Sequence, residues 1–227
     1  MKTTSLLSLL HISSPALPIG AFAYSQGLEY TLDAGWCKKA DDVEQWIASV
    51  LKQGLAGVDL PILKRLHHAW QMEDQQLGRE TVNHWNDTLL AFRETKELYL
   101  EDVQVGDAFK QWHLSQSKGH EDKLAWLEQP SFVAMYALQG VLADIPAEEC
   151  LLGFSWAWLE NQIAAASKAM PMGQTDGQNI MRHLIPVIEQ VVEKAMALED
   201  EEIGSGLVGL AMSSSLHEHQ YSRLFRS

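Results

Sequence analysis

The chain has 227 residues, 30 acidic against 17 basic side chains, a formal net charge of -13 and 46% hydrophobic content. That length suits one substantial domain with its own core. The acidic balance disfavours nucleic-acid binding, whose largest generic term is phosphate neutralisation, and favours solubility together with basic or cation-carrying partners.

Lys2 followed by Ser5-Leu-Leu-Ser-Leu-Leu-His-Ile12 imitates a short export signal. Ser5, Ser8 and His11 fall three apart, however, which predicts a helix with a polar face. No apolar run reaches membrane-spanning length, so no membrane association is expected. Next comes Ser14-Pro-Ala-Leu-Pro-Ile-Gly-Ala-Phe-Ala-Tyr-Ser-Gln-Gly-Leu-Glu29. Pro15 and Pro18 lock φ and extend the preceding residues, and Gly20 permits a sharp turn. Phe22, Leu28 and Leu32 then recur at helical spacing with Glu29 a turn below Ser25, so an ordered loop feeds a helix. Cys37 and Cys150 lie far apart without ligand spacing and read as reduced, small apolar residues of a cytoplasmic protein.

Asp41 with Glu44 predicts a capping box ahead of the stripe Val43, Trp46, Ile47, Val50 and Leu51. Asp59 with Pro61 predicts a second helix start, and Ser131 and Pro146 two more. Val82, Trp85, Leu89 and Phe92 mark another amphipathic segment; Leu151, Leu152, Ser155, Trp158, Leu159 and Ile163 mark a long buried one. A helical pattern from Gln178 through Leu198 contains Pro186, which predicts a kink or a restart there. Antiparallel packing of these stripes gives an all-α fold, a single-domain helical bundle of roughly eight to ten helices. Glu199-Asp-Glu-Glu202 and Gly204, Gly206 and Gly209 predict a flexible linker, dividing a helical domain (1–203) from a C-terminal tail (204–227). Tyr221, Leu224 and Phe225 form an apolar cluster too small to fold alone, so the tail needs something to dock on.

Glu94, Glu97 and Glu101 recur at i, i+3 and i+7, predicting three carboxylates on one solvated or protein-contact helix face. Asp102 falls on the opposite, apolar seam of Thr95, Leu98, Val105, Phe109 and Trp112, so it requires hydrogen bonds, a basic partner or an interface. His217 and His219, on a mobile tail, make no closed metal site, and His67, His68, His84, His113, His120 and His183 are scattered without ligand spacing. Gly173-Gln174 and Gly177-Gln178 read as a helix break after Pro171 that presents two glutamines, with Lys168 as a C-terminal cap before it. Phosphate loops, dinucleotide fingerprints, nucleophile elbows and zinc-hydrolase motifs are all missing. No catalytic, metal or cofactor residue is therefore assigned.

Pro18-x-Gly20-x-Phe22-x-x-Ser25-x-Gly27-Leu28-Glu29 resembles the opening motif of the urease accessory proteins of the F type, the UreF family. Three further segments resemble that family in chain order: Arg93–Leu98 continuing to Gln104-Val-Gly106, Lys168–Gln174 with Gly177-Gln178, and His217–Ser227. Ala21 stands where the family usually has a second glycine, and Met172 where leucine is common. The resemblance implies an all-α, non-catalytic, dimeric nickel-urease maturation factor. It would bind the UreD/UreH accessory protein and recruit or regulate the GTPase UreG, which carries nickel to apo-urease. Partner binding falls on the matching segments: Pro18, Gly20, Tyr24, Ser25, Gly27 and Glu29; Glu94, Glu97, Glu101 and Gln104; Lys168, Gln174 and Gln178; Glu218, Gln220, Tyr221, Ser222, Arg223, Leu224 and Phe225. As a regulator of the GTPase, a role the family implies, the chain would use Arg223 or Arg226 either as an arginine finger or for positioning alone. The competing reading is an all-α enzyme of the heme-oxygenase-like or thiaminase type, with an internal apolar pocket and chemistry at Cys150 or Glu160.

Overall fold

Apolar side chains recur at three- and four-residue spacing over most of the chain, and helices follow. The computed structural model describes residues 1–116, 119–204 and 206–227, and no strand occurs among them. The helices are α1 (Thr3–Ile12), α2 (Leu28–Asp33), α3 (Ala40–Ser49), α4 (Leu60–Ala69), α5 (Gln75–Ala91), α6 (Lys96–Gln116), α7 (Glu121–Leu124), α8 (Phe132–Leu142), α9 (Ala147–Ala169), α10 (Gln174–Ala197) and α11 (Val208–His217). Helix α8 is apolar all round, with Val133 through Leu138 essentially inaccessible, and such a helix must lie at the centre. It packs on α4 and α6, while α9 and α10 lie against each other. Each fully buried Leu here, such as Leu51, Leu63 or Leu66, contributes about 1.5–3 kcal/mol.

The start signals fare unequally. Ser131 caps α8 by accepting from the Ala134 N–H at 3.1 Å, and Pro146 stands at the N-cap of α9, both as expected. Asp41 is instead inside the first turn of α3, where it pairs with Lys39 at 3.0 Å. The reach-back is made by Asp42, which accepts from the Lys38 and Lys39 N–H groups at 2.9 and 3.2 Å. Asp59 does stand at the N-cap of α4 with Pro61 in its first turn, but its side chain caps nothing and no loop precedes it. α3 runs through a π-helical segment, Val50–Asp59, directly into α4, with helical dihedrals at each junction. In π register the Leu60 N–H bonds the Leu55 carbonyl. Pro61 has no N–H to return to Gly57, whose carbonyl accepts from Gly204 at 3.0 Å. The proline that suggested a boundary thus frees an acceptor that ties the 199–204 stretch to the bundle.

Pro186 likewise lies inside one unbroken helix, α10, rather than restarting it. In α1 the expected polar face of Ser5, Ser8 and His11 is only partly on the surface, with His11 exposed and Ser8 half-buried. Ser5 is buried with no hydrogen-bond partner for its hydroxyl, whereas Leu6, Leu7 and Leu10 are exposed, because Leu9 and Ile12 set the face that meets α8 and α9.

Candidate partner-binding surface

The opening loop is built as its prolines and glycines dictate. Gly20 has φ +77° and leads into a short 3-10 turn, Ala21–Ala23, so Ala21 itself needs no left-handed backbone. Tyr24 is buried and donates to Gln104 Oε1 at 2.8 Å, and its carbonyl accepts from Asn161 Nδ2 at 3.1 Å. Ser25 is fully buried; its hydroxyl accepts from the Glu29 N–H at 3.3 Å, fastening the first turn of α2. Gly27 has φ +75°, and a side chain there would overlap Ser213 and the backbone of Ser214. Only glycine lets α11 lie this close to α2.

The C-terminal segment is not the mobile tail that its linker composition predicts. α11 packs on α2 and α6, and the residues after it fold back along the opening loop. Arg226 donates to the Ala23 carbonyl, and Ser25 donates to the Ser227 carbonyl, each at 2.8 Å through the backbone N–H. The Ser25 hydroxyl donates to the same Ser227 oxygen. Glu29 organises the approach: Oε1 accepts from the Leu224 N–H at 2.7 Å and Oε2 from the Phe225 N–H at 2.9 Å. His217, fully buried, lies between Glu29 Oε2 at 3.2 Å and Glu97 Oε2 at 2.8 Å. Arg223 reaches the other oxygen of Glu97 at 2.8 Å, and the Ser227 hydroxyl donates to Glu101 at 2.9 Å. Phe225 is buried beneath the Lys168 ammonium, 4.6 Å from its ring centroid.

These contacts redistribute the residues predicted from sequence. Tyr24, Ser25, Gly27, Glu29, Glu97, Glu101, Gln104, Lys168, Arg223, Leu224 and Phe225 come together in one cradle. Glu94, Glu97 and Glu101 do not share one helix face: α6 begins only at Lys96, Glu94 is exposed ahead of it, and Glu97 is buried in contact with the tail. Pro18, Gly20, Gln174, Gln178 and Ser222 are exposed, Glu218 and Gln220 are half-buried, and among the described residues no hydrogen bond joins Gln174 or Gln178 to the cradle. Tyr221 is fully exposed and Leu224 is 53% exposed. They leave an apolar ledge beside the half-exposed Arg223 guanidinium. Sequence reasoning missed Gln26, which donates to Glu101 and accepts from Trp158, and the Thr95–Ser214 hydroxyl pair. It also misplaced His217, and nothing in the local sequence marks that ring as buried.

Behind the cradle lies a cavity of about 120 Å³ lined by residues such as Ile12, Leu17, Leu55, Phe92 and Phe132. Its polar wall is the pairing of Arg93 with Asp59 and Asp102, each at 2.6 Å. Burial alone would lower the Arg93 pKa, but the two carboxylates outweigh it and hold the guanidinium above its ordinary value. Asp102 is raised by burial and by Asp59, with Arg93 pulling the other way, and it also accepts from the Phe132 N–H at 2.7 Å. The acid on the apolar seam is therefore satisfied within the core. Glu101, which also lines the cavity, is pushed up to about 7, chiefly by burial, against the bonds from Gln26 and Ser227. The two residues of the enzyme reading do not line this cavity, and burial pushes the Cys150 thiol up to about 12, far from a nucleophilic thiolate. Among the described residues no group of three or more His, Cys, Asp or Glu side chains is arranged to hold a metal ion, and no helix is long and apolar enough to cross a membrane.

Fold and site together define an all-α protein whose C-terminal segment is folded into a carboxylate-lined cradle. Sequence comparison refines that class. A profile of the UreF family matches residues 37–185. The chain is 48% identical over 223 residues to a protein of Teredinibacter turnerae named urease accessory protein UreF, covering 98% of both chains. Proteins of the same name from Chromohalobacter salexigens and Marinobacter nauticus are each 44% identical over 223 residues, covering 98% of this chain and 95% and 94% of theirs. The chain belongs to the UreF family of urease accessory proteins.

Proposed function

We propose that this chain is required for urease maturation through nickel insertion and acts there as a non-catalytic scaffold. In this reading it works in the cytoplasm as a homodimer, binds the UreD/UreH accessory protein, and recruits or regulates the GTPase UreG that delivers nickel to apo-urease. The observation that carries the reading is the cradle itself. A buried hydrogen-bond network fixes the tail backbone while turning Tyr221, Leu224 and Arg223 outward. Aromatic and arginine side chains held on rigid backbone supply most of the energy of protein interfaces. Nothing in the cradle resembles a reaction centre, since its carboxylates are engaged by tail donors. The test is co-expression with candidate UreD/UreH and UreG chains, followed by sizing with light scattering. A stable complex containing this chain supports the proposal, and separate elution of all components refutes it.

A further inference from the structure

With Glu29 and Glu97 both ionised, only the protonated His217 ring satisfies the contacts on both of its nitrogens. Both ring nitrogens lie within hydrogen-bond distance of carboxylate oxygens, Nδ1 at 2.8 Å from Glu97 and Nε2 at 3.2 Å from Glu29. A neutral imidazole has one N–H and one lone pair, so one of those carboxylates would face a lone pair. The imidazolium donates in both directions. The charged and titratable groups around it come from every element it packs on: Glu29 from α2, Glu97 and, a turn further along, Glu101 from α6, and Arg223 from the tail. With the ring protonated, two cations (His217 and Arg223) meet two anions (Glu29 and Glu97). Without that proton one negative charge is left uncompensated around a fully buried ring.

We propose that His217 is a protonation-dependent lock on the C-terminal segment. The imidazolium clamps α11 between α2 and α6, and loss of its proton as pH rises releases residues 218–227 from the cradle. Glu29 couples the two events, because its Oε2 accepts both from the ring and from the Phe225 N–H, while its Oε1 holds the Leu224 N–H. Release would carry Tyr221, Arg223 and Leu224 away from the opening loop. The lock is a property of the isolated chain and does not depend on the proposed partners.

The test uses the full chain and two readouts between about pH 5 and about pH 9, which spans the interval of roughly pH 5 to 8 in which histidines commonly switch. Ring nitrogen chemical shifts report the His217 charge state. Hydrogen-exchange protection of the Leu224 and Phe225 amides, corrected for base-catalysed chemical exchange, reports tail docking. The lock predicts an imidazolium at the acidic end and a loss of amide protection by about tenfold or more that follows ring deprotonation. His217→Gln should abolish that pH step. Should this variant not fold, Glu97→Gln removes one of the two carboxylates and lets a neutral ring accept from the amide NH2, so it must also abolish the step. Glu101→Gln must leave it in place, which separates the lock from titration of Glu101. A neutral ring at about pH 6 with both amides protected overturns the proposal. So does a step that survives in both His217→Gln and Glu97→Gln, or one that disappears in Glu101→Gln.

Discussion

Replacing Glu29 by Gln preserves the shape of the side chain and removes its charge, which isolates what the carboxylate contributes to tail docking. In the native protein its two oxygens accept from three donors, the N–H groups of Leu224 and Phe225 and the His217 ring. An amide offers one oxygen and one NH2 group. In one orientation the NH2 meets the Leu224 N–H; in the other it meets Phe225 and His217 together. At least one buried donor therefore loses its acceptor and faces another donor. Charge-assisted bonds contribute about 1.5–3 kcal/mol each, and a stranded donor costs about 1–3 kcal/mol. Glu29→Gln should accordingly weaken docking by about 2–4 kcal/mol. Global unfolding will register less than this if the tail detaches first, because only the free energy holding the tail can be lost that way. Amide hydrogen exchange at Leu224 and Phe225 is thus the sensitive assay, with denaturant unfolding as the companion. Unchanged protection at both amides, with global stability altered by less than about 0.5 kcal/mol, would refute the assignment of Glu29 as organiser of the cradle.

Three further outcomes follow from neighbouring groups. Glu101 keeps its proton up to about 7 when folded, against a reference value of 4.5, so folded-state stability falls as pH rises between those values and stays lower above them. The full shift corresponds to about 3 kcal/mol, which residual solvent access reduces to about 1–2 kcal/mol; Glu101→Gln should recover that amount at about pH 8 and flatten the slope in denaturant melts. A slope unchanged by the substitution would contradict the burial argument. Arg93→Met strands Asp59 and Asp102 in the core and should cost about 3–5 kcal/mol in the same melts, whereas a loss below about 1 kcal/mol would mean the carboxylates find water or protons cheaply. Arg223→Ala should spare UreD/UreH binding and weaken UreG recruitment in pull-downs of the co-expressed complex, and loss of both bindings, or of neither, would argue against a divided surface.

Much of the fold was legible because its signals are local. Periodic stripes located α5, α9 and α10, and Ser131 and Pro146 located the starts of α8 and α9. The errors arose where tertiary contact overrides a local cue. Asp59 and Pro61 mark the start of α4, but the sequence cannot reveal that a π-helical register runs into it without a break or that the Gly204 N–H takes up the freed Gly57 carbonyl. The segment from Val208 onward reads as a free tail because its sequence says nothing of Gly27, whose missing side chain lets α11 settle against α2. The cradle was half visible. Its residues could be assembled from segments resembling one family, but the partners of Glu97 lie 120 and 126 positions further along the chain, beyond any spacing rule. For the same reason His217 looked like a tail histidine, when it is the most enclosed titratable group of the cradle.

The central claim is that the protein contributes position and carries no tightly held nickel of its own. Calorimetric titration of the purified chain with nickel at physiological salt tests it most directly. The cradle carboxylates are occupied by tail donors and the His217 nitrogens by carboxylates, so binding should be on the order of micromolar or weaker and should persist when His217 and His219 are replaced. A stoichiometric site of about nanomolar affinity that vanishes with those histidines would contradict the account and make the protein a nickel carrier.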